Sequence, residues 1–132
     1  MLAPVLSRLL PDLGVLALDA DTVSRDPQVV RDYLADPLNH TGKVRARTGA
    51  EMVATGAAMA DRLPSLTMPL LVLHGGADRL VPPAASELVP ARAGSANVTR
   101  TLYPGLYHEP HNEPEKEQVL DDVVAWLDAH RS

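Results

Sequence analysis

The 132 residues include no cysteine and no phenylalanine, and only one tryptophan and three tyrosines. Without cysteine there are no disulfides and no thiolate chemistry, and the redox compartment stays open. With so few aromatics the core must be aliphatic. An excess of basic charge is also missing. The net charge of −5 leaves no electrostatic footprint for nucleic acid. No run approaches the ~20 apolar residues of a membrane-spanning helix. The stretch from Met1 to Ala20 is apolar but lacks a basic leading region, and Arg8, Pro11 and Asp12 interrupt it. It does not read as a secretory signal, and the location, cytoplasmic or peripheral to a membrane, is not set by the sequence. Repeats and low-complexity tracts are absent. At 45% hydrophobic and 22% charged residues the chain is not disordered. Its length is that of one modest domain or of part of a larger one.

What is present is organised around Leu70-Leu71-Val72-Leu73-His74-Gly75-Gly76-Ala77-Asp78. An unbroken apolar run ends in two glycines and an acid, which predicts a buried strand opening into a tight loop that presents Asp78. Tyr103-Pro104-Gly105-Leu106-Tyr107-His108-Glu109-Pro110 is a second strand end whose loop offers His108. Acid and histidine at the carboxyl ends of neighbouring parallel strands form the arrangement in which a carboxylate fixes an imidazole tautomer and leaves the other ring nitrogen to take a proton from a hydroxyl. Two plainer readings stand beside it: an Asx turn for Asp78 and a hydrogen-bonded loop histidine for His108.

The rest of the chain supplies the frame. Residues 2–18 read as short helix or loop with an apolar surface. Asp26-Pro27 starts a helix that Pro37 closes, with Val29, Val30, Tyr33 and Leu34 on one face. Residues 39–47 read as a loop. Thr48-Gly49-Ala50-Glu51 has the form of a capping box, opening a helix whose Met52, Val53, Gly56, Ala57, Ala60 and Leu63 form a packing stripe until Pro64. Strands are expected at about 69–75 and 97–103, with a helix over 83–93 weakened by Pro90. Asn112 and Glu115 are expected to cap a last helix carrying Val119, Leu120, Val123, Val124 and Leu127. The order is mostly helical for residues 1–64, then a βαβα unit. Leu70–Leu73, apolar on both faces, calls for a neighbouring strand on each side, and the chain supplies one. A two-stranded parallel sheet is not a stable unit. The fold class is therefore α/β, the trailing part of a larger sheet or a chain that borrows a partner.

Other chemical candidates are weaker. His108-Glu109-Pro110-His111, with Glu113 nearby, lacks the four-residue histidine spacing of a metalloprotease helix, so no metal site is expected. His74 reads as a packed, satisfied histidine, and His40 and His130 as surface residues. The elbow motif Gly-x-Ser-x-Gly does not occur. Ser7, Ser24, Ser65, Ser86, Ser95 and Ser132 all lack its context.

The block from Met68 to Pro82, followed by Tyr103 to Glu109, resembles the C-terminal part of monoacylglycerol lipases in the α/β-hydrolase superfamily. Val23-Ser24-Arg25-Asp26-Pro27 through Tyr33–Leu38 resembles their cap region. The resemblance implies an α/β-hydrolase sheet segment preceded by a helical cap, the division falling at 1–64 and 65–132. It implies that Asp78 and His108 are the triad acid and base, with no cofactor. It also implies that residues 1–55 or so line an acyl channel. The substrate would be a monoacylglycerol or another small acyl ester, with transient lipid-surface contact through the cap. In this order the serine precedes the acid and the base, so another stretch of polypeptide must provide it. The rival expectation is an inactive piece that folds only with another chain or copy. A small apolar-ligand binding module is a third.

Overall fold

The computed structural model describes residues 7–131. The expectation for residues 2–6 lies outside it. Besides the helical residues 7–9, the described chain holds four strands and four α-helices joined by short 3-10 turns.

Strand β1 (Gly14–Leu16) pairs antiparallel with β2 (Val44–Arg45). Neither is visible in the sequence, because two or three residues are too few to show a period. Between them lies α1 (Pro27–Ala35). Asp26 caps it, its carboxylate accepting from the Gln28 amide at 2.8 Å, and Pro27 holds the first helical position. Val29, Val30 and Tyr33 are half-buried, but Leu34 stays exposed.

Helix α2 (Ala46–Arg62) departs from expectation twice. It begins two residues before Thr48, with Arg45 at the cap position and no side-chain cap bond. The expected capping box is therefore not formed. The helix continues straight from β2, and Glu51 pairs with Arg47 at 2.8 Å instead of turning back on the cap. The stripe expected to pack is also uncovered: Met52 is 62% and Val53 77% exposed. A side chain at Gly56 would meet nothing within 4 Å. Only the far end, at Leu63, is buried.

Strand β3 (Leu70–Gly75) and β4 (Val98–Tyr103) pair in parallel, from Leu70 opposite Val98 to Gly75 opposite Tyr103. The crossover is not the single expected helix. It is a 3-10 turn over Pro83–Glu87 followed by α3 (Leu88–Arg92). Pro90 falls in the first turn of α3, where its missing N–H is no loss. Helix α4 (Lys116–His130) packs back on the pair. Its N-terminus carries no side-chain cap. Asn112, expected to help cap it, lies in a separate 3-10 turn and donates to Glu109 at 2.8 Å. Tyr103, Leu106 and Val119 form the buried cluster, with Leu73 packed against it. Leu70 to His74 are only half-buried, so the described residues do not cover both faces of β3.

Both loops of interest leave the carboxyl ends of this parallel pair and are laced together. The Gly76 amide donates to Tyr103 at 2.7 Å and the Ala77 amide to Leu106 at 2.9 Å. Gly75 is required here, because a Cβ would run into the backbone carbonyls of Tyr107 and Leu106. Gly105 turns the second loop with φ of 82°, a conformation that costs glycine little.

Candidate active site

Asp78 divides its two carboxylate oxygens between two tasks. Oδ1 accepts from the amides of Leu80 at 2.8 Å and Val81 at 3.0 Å. That closes an Asx-type turn and locks the side chain. Oδ2 lies 2.9 Å from Nδ1 of His108. The turn reading and the pairing reading of this residue are thus both realised, one on each oxygen.

The Asp78 side chain is 2% exposed and that of His108 38%. Burial favours the neutral acid. The Val81 amide, the His108 ring and the Leu80 amide together outweigh it and hold the carboxyl below its ordinary 3.8. An ionised carboxylate can only accept, so Nδ1 of His108 carries a proton, and in the neutral ring Nε2 is the nitrogen with a lone pair. Nε2 has no hydrogen-bond partner among the described residues.

His74, expected to be packed and satisfied, is so. Its Nε2 lies 3.1 Å from the Val81 carbonyl. The sequence does not reveal that the same nitrogen is 3.2 Å from Oδ2 of Asp78. The carboxylate oxygen thus faces two histidines. His111 sits exposed in the Pro110–Asn112 turn. His40 is a surface residue as expected. His130 is not simply exposed: its ring stacks on Trp126 with centroids 4.1 Å apart, and Nε2 meets Asn97 at 2.8 Å. Four serines have hydrogen-bond partners. Ser24 donates to Asn112, Ser65 to Arg62, Ser86 to Pro83 and Ser95 to Asn97.

Sequence reasoning missed the role of Glu113, noted only as a neighbour of a rejected metal motif. Its side chain is fully buried and pairs with Arg25 at 2.8 Å. It also accepts from the Tyr107 amide at 2.8 Å. The Arg25 guanidinium reaches Glu115 as well. No periodic pattern marks a buried acid in a loop, and its partner lies 88 residues away. Nearby, Arg79 lies over the Tyr107 ring, 4.8 Å from its centroid. A separate cavity of about 560 Å³ is lined by Val15, Ala46, Ala50 and Val53 among others, and not by Asp78 or His108.

The profile of the family described as "Serine aminopeptidase, S33" (Hydrolase_4) matches residues 1–115. The chain is 50% identical over 128 residues to a monoacylglycerol lipase of Mycolicibacterium smegmatis, covering 97% of this chain and 46% of that protein. It is 32% identical over 127 residues to the human monoglyceride lipase, covering 95% of this chain and 42% of that one. Among solved structures, the monoacylglycerol lipase of Paleococcus ferrophilus superposes with a TM-score of 0.86 at 30% identity, covering 98% of this chain and 51% of that one. The chain thus spans about half the length of the curated relatives it matches. These likenesses make the fold the C-terminal part of an α/β-hydrolase, its βαβα unit preceded by a mostly helical segment. The chain belongs to the serine aminopeptidase family of α/β-hydrolases.

Proposed function

We propose that this chain carries the acid and the base of a serine ester hydrolase acting on monoacylglycerols. The observation that supports the reading best is the 2.9 Å contact between Asp78 Oδ2 and His108 Nδ1, with the opposite ring nitrogen unpartnered among the described residues. In this reading a serine from polypeptide outside these 132 residues gives its proton to His108 Nε2 as its oxygen attacks the ester carbonyl carbon. Asp78 stays ionised and stabilises the imidazolium. His108 then protonates the departing glycerol oxygen, leaving an acyl-serine. Water, deprotonated by His108, attacks that ester, and the fatty acid leaves as the serine regains its proton. Residues 1–64 act as cap and connecting helix and 65–132 as core. The mostly apolar cavity beside Val15 and Val53 suits an acyl chain, and the cap meets the lipid surface.

The names of the relatives point to the same substrate class. The test is a chimera in which this chain replaces the matched 128 residues of the Mycolicibacterium protein, whose remaining half would supply the serine. The chimera is expected to hydrolyse a monoacylglycerol, and His108→Ala is expected to abolish that while leaving the protein folded. Normal turnover by the His108→Ala chimera would refute the assignment. A second reading, an inactive piece that needs another chain or copy, draws on the uncovered Met52 and Val53. Circular dichroism and sedimentation of the 132-residue chain decide it: a folded monomer sinks this second reading.

A further inference from the structure

We infer that Glu113 is a positioning residue for His108, acting through the backbone of the histidine's loop, with Arg25 as its anchor. The inference deepens the reading of His108 as the base, but its test needs no turnover. The residues on either side of His108 are fastened to one short segment, residues 23–25, Tyr107 through Glu113 and Glu109 directly. On one side the Tyr107 amide donates to Oε1 of Glu113 at 2.8 Å. That oxygen also accepts from the Arg25 amide at 3.1 Å, and Oε2 accepts from Arg25 Nε at 2.8 Å. On the other side the Glu109 amide donates directly to the Val23 carbonyl at 2.9 Å. Ser24 completes the clasp, its hydroxyl donating to Asn112 at 2.9 Å and accepting from the Asp26 amide at 3.0 Å.

Three N–H groups converge on Glu113, and a carboxylate accepts them all at its two oxygens. Glutamine offers one oxygen and turns its NH₂ towards donors. A fully buried acid is expensive unless so satisfied, and this one ranks first by volume among the fully buried side chains. Because the segment it grips leads straight into α1 through the Asp26 cap, the placement of α1 and that of His108 are set by the same group. Asp78 fixes the ring from one nitrogen; Glu113 holds the backbone one residue before the one that carries the ring.

The test reads the proton on His108 Nδ1 by NMR in the 132-residue chain, the resonance being identified by its loss in His108→Gln. In the native chain this proton, bonded to a buried carboxylate, exchanges slowly. In Glu113→Gln its exchange is expected to quicken about tenfold, the factor for losing the net worth of one hydrogen bond. Tyr103→Phe is the control for a merely structural lesion, because it removes an interior hydrogen bond to Asp122 away from the clasp. It is expected to leave the exchange rate unchanged. A folded Glu113→Gln with native exchange overturns the inference, as does equal quickening in Tyr103→Phe. If Glu113→Gln does not fold, Arg25→Lys is read instead. It keeps the charge but loses the Nε–H donor, and a native exchange rate there overturns the inference too. The outcome is independent of whether the His108→Ala chimera turns over, so the two readings fail separately.

Discussion

Replacing Asp78 with asparagine removes one oxygen's worth of chemistry and keeps the shape. The amide oxygen can still accept from Leu80 and Val81, so the turn survives. At the Oδ2 position an NH₂ would face both His108 Nδ1, at 2.9 Å, and His74 Nε2, at 3.2 Å. Donor would meet donor. His108 must then move its proton to Nε2, where it can no longer take one from a serine. The lost charge-assisted bond is worth about 1.5–3 kcal/mol, so urea unfolding of the 132-residue chain should show destabilisation of that size. In the chimera, kcat should fall by about 10⁴, as expected when a triad histidine is held in the wrong tautomer. KM should stay close to native. The pH arm follows from the depressed Asp78 pKa. A carboxyl lowered on folding stabilises fully above its ordinary 3.8 and loses that contribution as pH falls through the folded value. The stability gap between native and Asp78→Asn chains should therefore be constant above the ordinary value and shrink in acid below it. A near-native kcat in a destabilised Asp78→Asn chimera would refute the reasoning, because His108 would then be working without its orienting partner.

Three further substitutions test the frame. Gly75→Ala should cost about 3 kcal/mol in urea unfolding, the upper range for overpacking, because the new methyl meets backbone carbonyls of Leu106 and Tyr107 and not a yielding side chain. Val119→Ala, at a position 1% exposed in the small core, should cost about 2 kcal/mol by the same measurement. Tyr103→Phe should cost about 1 kcal/mol. Burial and the Asp122 carboxylate push the Tyr103 phenol up to about 12. Its stabilisation is intact below the ordinary 10.0 and gone once pH has risen past about 12, which ultraviolet titration of the phenol will read.

The pairing of Asp78 with His108 was legible in the sequence because its signals are local. Apolar residues running into Gly75-Gly76 mark a strand end, and Asp78 stands three residues past the first glycine. Tyr103-Pro104-Gly105 marks the second strand end just before His108. Glu113 was not legible, since a buried acid in a Pro-flanked loop carries no periodicity and its partner Arg25 is remote in sequence. The capping box at Thr48 misled for a related reason. Propensity at four residues gave way to the pairing of Val44 and Arg45 with β1, which set the helix start earlier. The α2 stripe reads as packing by its spacing alone, but spacing says only that Met52 and Val53 share a face. It does not say that anything covers them.

The central claim is that Asp78 and His108 together activate a hydroxyl. The rate at which a fluorophosphonate labels the serine of the chimera tests it most directly, because that reaction needs the activated oxygen and no substrate fit. The account predicts rapid labelling in the native chimera and labelling slower by about 10³–10⁴ in His108→Ala. Equal labelling rates in the two proteins would contradict it.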